Sequence, residues 1–219
     1  LTANVVLTFA RGLKAIIRLT SANIQLTNHM RKLALFMHTS LDGFVAGTNG
    51  ELDWVKVDQE IFDFVTKRLQ HCDTAMYGRT TFDMMEAYWP TAAEQPNATA
   101  HDIEHSAWYA NIQKVVLSKS LKATKPNTMI IKDHLAARII DLKQQPGKEM
   151  ILFGSPTAAH TLMHEDLIDD YWLFVNPILL SKGKPMFKGF QPNTQLKLLK
   201  STTFANGVVC LHYERLLWR

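Results

Sequence analysis

The stretch from Glu149 to Leu180, EMILFGSPTAAHTLMHEDLIDDYWLFVNPILL, narrows the choice of folds more than any other part of the chain. An apolar run, Met150 to Phe153, stops at Gly154. Ser155-Pro156-Thr157 then has the form of a helix start, a helical pattern runs to about Glu165, and a second long apolar run spans Tyr171 to Leu180. The order is strand, glycine turn, helix, strand, the unit from which parallel α/β sheets are built. Proline suits the first helical turn, where its missing N–H is not needed, and Ser155 is placed to cap the free amides of the helix start. Those amides and the aligned peptide dipoles favour negative charge, so a phosphate is the natural ligand of such a turn. A plain crossover would read the same way, and the rest of the chain has to decide.

With 219 residues, 47% apolar and 20% charged, the chain has the composition of one soluble globular α/β domain. No apolar run approaches the roughly 18 to 20 residues of a membrane span, so no membrane partner is expected. Cys72 and Cys210 have neither metal nor CxxC spacing and fit a reducing compartment. The pI near 9.0 invites a nucleic-acid reading. However, residues 1–29 hold Arg11, Lys14 and Arg18 and no acid, and so supply +3 of the formal +4; the nearly balanced remainder argues against nucleic acid as a partner. This basic, amphipathic segment resembles an organelle-targeting sequence. The other reading makes it an extension upstream of a start at Met30, which would place a 30–219 domain in the cytoplasm.

Leu33 to Thr39 reads as a buried strand, followed by a glycine-rich loop through Gly43, Gly47 and Gly50 that returns to Trp54 and is suited to covering a ligand. Asp58 caps a helix whose spacing runs through Ile61, Phe62, Val65, Leu69 and Cys72. Thr74 to Tyr77 is a strand ending at Gly78, and Arg79-Thr80-Thr81-Phe82 opens a helix that Pro90 is expected to stop. A helix over 101–112, strands at Lys114–Leu117 and Asn127–Lys132, a helix over Leu135–Leu142 and a hairpin of 195–203 with 208–216 complete the reading. The predicted fold is a mixed α/β sheet flanked by helices on both faces, with a C-terminal antiparallel hairpin.

Three strand ends carry phosphate-type chemistry: Gly78-Arg79-Thr80-Thr81, Leu117-Ser118-Lys119 and Gly154-Ser155-Pro156-Thr157. Ligands of open α/β sheets lie beyond the carboxyl ends of the strands, and two helix starts with two cations suit a dinucleotide. A GxGxxG fingerprint is absent. His101 and His105, like His160 and His164, are four apart but lack an intervening Glu or a third ligand, so no metal is expected and they read as solvated helix residues. Met84, Met85, Phe62 and Val65 read as core, and Lys182-Gly183-Lys184 stays unassigned.

Ser40-Leu41-Asp42-Gly43-Phe44-Val45-Ala46, Gly78 to Thr81, Val116 to Lys119, Gly154-Ser155, Leu167 to Tyr171 and Pro177 to Phe187 together resemble the dihydrofolate-reductase-like superfamily. Within it the chain is most similar to the reductase domain of riboflavin biosynthesis and its stand-alone relatives, over about Arg31 to Arg215. The resemblance implies NADPH across the carboxyl edge of the sheet. Gly78, Arg79, Thr80 and Thr81 would hold the pyrophosphate and, with Ser118 and Lys119, the adenosine 2′-phosphate. Gly154, Ser155, Pro156 and Thr157 would take the diphosphate, Val45 and Ala46 would border the nicotinamide, and Leu117 and Phe153 belong to the same set. Asp42 is the catalytic candidate, placed at a small-molecule substrate. The sequence departs from the family pattern at Ser155, where a second glycine is usual, at Asp170 in place of Glu, and at Ser181 in place of Gly.

The implied activity is NADPH-dependent hydride transfer to a small heterocycle, with reduction of a ribosylamino-pyrimidine as the named example. The zinc ligands H-x-E and P-C-x-x-C of the associated deaminase are absent, so a lone reductase-type unit is expected. Dihydrofolate reduction fits less well, because the acidic residue expected on the following helix has no counterpart. A non-catalytic nucleotide-binding dimer is the alternative from another class, and a homodimer is expected in either case.

Overall fold

The computed structural model describes residues 30–122, 125–188 and 194–216. Both readings of the segment 1–29 therefore lie outside the described residues. The first strand, β1 (Leu33–Ser40), is followed across a tight turn by the short β2 (Phe44–Ala46). Helix α1 (Gln59–Leu69) begins where Asp58 accepts the Ile61 amide at 3.0 Å. Its apolar face of Ile61, Val65 and Leu69 is buried, but Cys72 does not extend it: that residue opens β3 (Cys72–Gly78) and pairs with Glu149.

Helix α2 (Arg79–Ala92) starts directly from Gly78 and runs through Pro90 instead of stopping there. The proline removes a single i→i−4 bond in the last turn, where few remain to be lost. A capping box between Thr99 and Asp102 starts α3 (Ala100–Asn111). Next come β4 (Gln113–Leu117), β5 (Thr128–Ile131), α4 (Leu135–Gln144), β6 (Glu149–Phe153) and α5 (Pro156–His164). Strand β7 spans Asp170–Asn176, not the whole predicted run to Leu180, because Pro177 has no amide with which to continue the ladder. The two-residue β8 (Lys184–Pro185) and the hairpin of β9 (Leu196–Thr203) and β10 (Val209–Arg215) complete the chain.

The main sheet has the order β5-β4-β3-β6-β1-β7-β10-β9, and β2 pairs with β8 in a separate ribbon. Contacts from β5 to β7 are all parallel, and β10 and β9 add antiparallel strands at one end. Alternation along the strands feeds two cores. Leu33, Leu35, Met76 and Leu152 pack toward α4 and α5, whereas Phe36, Tyr77, Ile151 and Phe153 pack toward α1, α2 and α3. The parallel strands thus end along one edge, and the turns after β3, β4 and β6 stand side by side.

Candidate active site

One cavity of about 1150 Å³ opens along that edge. Val45, Ala46, Gly78, Arg79, Thr80, Thr81, Leu117, Ser118, Lys119, Phe153, Gly154, Ser155, Pro156 and Thr157 all line it, so three strand ends separated by up to 79 positions in sequence form one wall.

The two glycine turns are tied to each other. Gly154 and Ser155 both adopt left-handed backbone, with φ of 52° and 56°, so the unusual geometry expected of a glycine pair is kept although the second residue is serine. Ser155 does not cap its own helix as the sequence suggested. In the left-handed conformation its hydroxyl turns toward β3, accepts the Gly78 amide at 2.8 Å and donates to Thr81 Oγ1 at 2.6 Å. A Cβ on Gly78 would lie 2.8 Å from Ser155 Oγ and 3.0 Å from Ser155 Cβ, so the close approach requires glycine at that position.

Both helix starts are left without a side-chain cap, and neither α2 nor α5 carries an acidic residue in its first turn. Two uncapped amino ends facing one cavity leave free amides whose chemistry suits anionic groups. Arg79 adds a guanidinium whose Nε donates to Asp83 at 2.6 Å; this pair is solvent-exposed and weak, so it competes little with a phosphate. Lys119 is exposed at the same wall. The Ser118 hydroxyl oxygen already accepts from the Ser120 and Leu121 amides at 3.3 and 3.1 Å, which leaves its proton for a ligand.

Asp42 is not among the residues lining the cavity. Its carboxylate accepts the Ser40 hydroxyl at 2.6 Å and the Leu180 and Ser181 amides at 3.1 and 2.7 Å. Those bonds, the Ser40 hydroxyl first, hold its carboxyl below the usual carboxylate range. Ser40 Oγ in turn accepts the Phe44 amide, and Gly43 turns the chain at φ 84°. The Ser-Leu-Asp-Gly motif is therefore a latch that fastens the segment after β7 to the end of β1.

Several residues that the sequence left elsewhere reach the cavity. Met84, read as core, is exposed and lines it, and so do Lys184, Lys132 and His134. His38 does as well, from within the apolar run of β1, where nothing in the local sequence marks it out. Of the four helix histidines read as solvated, His164 is exposed, and the other three are packed against the protein. His101 is buried face to face with Phe62 at 3.8 Å, His105 packs on Trp89 at 3.9 Å, and His160 Nε2 meets the Met186 carbonyl at 2.9 Å. Among the described residues no group of three or more His, Cys, Asp or Glu side chains is arranged to hold a metal ion.

The sheet order and its C-terminal antiparallel hairpin define a dihydrofolate-reductase-like fold. A solved dihydrofolate reductase from Enterococcus faecalis, complexed with NADP(H), superposes with a TM-score of 0.57 at 14% identity, covering 84% of this chain and 96% of that one. Residues 31–210 match the RibD C-terminal domain, and the chain belongs to that family. The Bacillus subtilis protein YyaP, itself uncharacterized, is 32% identical over 193 residues, which cover 86% of this chain and 98% of YyaP. The Thermotoga maritima diaminohydroxyphosphoribosylaminopyrimidine deaminase/5-amino-6-(5-phosphoribosylamino)uracil reductase superposes with a TM-score of 0.62 at 14% identity. That match covers 87% of this chain and 58% of the larger protein.

Proposed function

We propose that this protein is an NADPH-dependent reductase of a small heterocyclic substrate, of the kind that reduces a ribosylamino-pyrimidine in riboflavin biosynthesis. The carrying observation is the pair of uncapped helix starts, α2 and α5, locked together through Ser155 above one edge cavity. Membership of the RibD C-terminal domain family supports the same reading.

The residues present fit the cofactor. The first turns of α2 and α5 would hold the diphosphate, Arg79 and Lys119 the 2′-phosphate, and buried Val45 and Ala46 would border the nicotinamide. When bound, NADPH supplies a hydride from nicotinamide C4. The protein's part is to bind and orient: helix amides and cations fix the phosphates, and apolar walls keep water from the reacting end. Asp42 acts through position, holding the Leu180–Ser181 segment against the turn that leads into β2.

The test is a titration with NADPH and with NADH, read by quenching of tryptophan emission and energy transfer to the nicotinamide. Saturable NADPH binding, much weaker for NADH and weakened about tenfold or more in Arg79→Ala, is the expected result for a charge-assisted phosphate contact. Absence of saturable binding by either dinucleotide would leave the fold without this function.

A further inference from the structure

His38 sits two residues before the end of β1 and, with Phe36, Val45, Leu52 and Val55, lines the part of the cavity built by β1, β2 and the loop before α1. Its ring stacks on Phe174 at 4.9 Å between centroids and meets Phe36 edge-on at 5.9 Å, which fixes its plane. Beside it lies Asn176, fully buried at the end of β7. The orientation of that amide is determined by its neighbours. Oδ1 accepts the Lys56 amide at 2.8 Å, while Nδ2 donates to the Thr39 and Phe174 carbonyls at 3.2 and 3.1 Å.

The same Nδ2 faces His38 Nδ1 at 3.4 Å. The amide nitrogen spends both hydrogens on those carbonyls and has no lone pair to accept with, so an Nδ1–H facing it would find no acceptor; Nδ1 carries the lone pair and the neutral ring has its proton on Nε2. Burial keeps the ring neutral, pushing its pKa down to about 4. Nε2 has no hydrogen-bond partner among the described residues and is not among the polar atoms sealed from solvent. An oriented, neutral N–H donor therefore stands unused in an apolar part of the cavity wall.

We propose that His38 Nε2–H is a specificity-determining donor that selects, as substrate, a planar heterocycle bearing a carbonyl oxygen. The inference rests on the reductase reading above and names the residue that would read the ring oxygen. A desolvated donor discriminates because a ligand that presents an amino group in place of the oxygen leaves two donors unpaired.

The experiment uses the full chain with ¹⁵N-labelled histidine at pH 8, free and with NADPH, and two probes, uracil and 2,4-diaminopyrimidine. Long-range ¹H–¹⁵N correlations should show His38 as the Nε2–H tautomer in the free protein. Uracil should shift that resonance and bind at least about tenfold more tightly than the diamine, as expected for a site built around one hydrogen bond. His38→Gln, which retains a donor, should keep the preference, and His38→Leu should lose it with NADPH binding unchanged. An Nδ1–H ring in the parent protein, no response to uracil at high millimolar concentration, equal binding of the two probes, or a preference that survives His38→Leu would each overturn the proposal. Cofactor binding is read separately by tryptophan quenching, so failure of the reductase reading is distinguishable from failure of this one.

Discussion

At the scale of single residues, the contact between Gly78 and Ser155 carries the most consequence, because one hydroxyl joins two turns far apart in sequence. Gly78→Ala would force a methyl group to within 3.0 Å of both Ser155 side-chain atoms. Overpacking of that kind costs about 1–3 kcal/mol. The remedy belongs to the partner. Ser155→Gly removes both offending atoms, suits the positive φ, and leaves the Ala158 methyl 3.6 Å away, an ordinary contact. The expected outcome is a lowered urea midpoint in Gly78→Ala, partly restored in the double variant although Ser155→Gly alone destabilises by losing two hydrogen bonds. Additive losses in the four-member cycle would show that the two side chains do not compete for one space.

At the scale of elements, sequence patterning located most strands and helices because each carries its own period and its own end signals: Asp58 before α1, Gly78 before α2, Pro156 in α5. It failed where the decisive partner was distant. Cys72 keeps helical spacing with Leu69 yet joins the ladder opposite Glu149, and the β2–β8 ribbon is too short to show a period at all. The three strand-end turns that share the cavity were legible as glycine, hydroxyl and cation clusters; His38 was not, since an isolated histidine in an apolar strand has no pattern. The α3 histidines show the same limit. Helical spacing gave their relation to each other but not the aromatic wall of Phe62, Trp89 and Trp108 that buries them. Burial pushes the His105 pKa down to about 3, assisted by His101 and opposed by Asp102, and that of His38 to about 4. In the unfolded chain both titrate near 6.5, so between about 6.5 and 4 the unfolded state binds more protons. Their contribution is therefore complete above pH 6.5 and is lost as pH falls toward the folded values, with a slope approaching about 1.4 kcal/mol per pH unit for each group. Urea unfolding between pH 7.5 and 4.5 should show the decline, and His105→Phe, which keeps an aromatic ring against Trp89, should lower the slope by close to one proton.

At the scale of the whole molecule, the cavity joins elements that belong to the two separate hydrophobic cores. Its walls come from both sheet faces and from the carboxyl ends of β3, β4, β5 and β6, together with β2 and β8 of the separate ribbon. A ligand spanning those walls is bound only when all of them are in place, and the unfolded chain offers no equivalent site. Binding is then linked to stability by mass action: at a free concentration one hundred times Kd the folded state gains about 2.7 kcal/mol. NADPH should accordingly raise the unfolding midpoint of the chain in a concentration-dependent way, and NADH at equal concentration should do much less, because it offers no 2′-phosphate to Arg79 and Lys119. The same gain should shrink with added salt, since Arg79 and Lys119 are exposed and a phosphate held by them would be screened, while the amides at the starts of α2 and α5 would be less sensitive. Thermal unfolding at several ligand and salt concentrations separates these contributions. A midpoint that responds equally to both dinucleotides would place the recognised charge on the diphosphate at the two helix starts and remove Arg79 and Lys119 from the binding site.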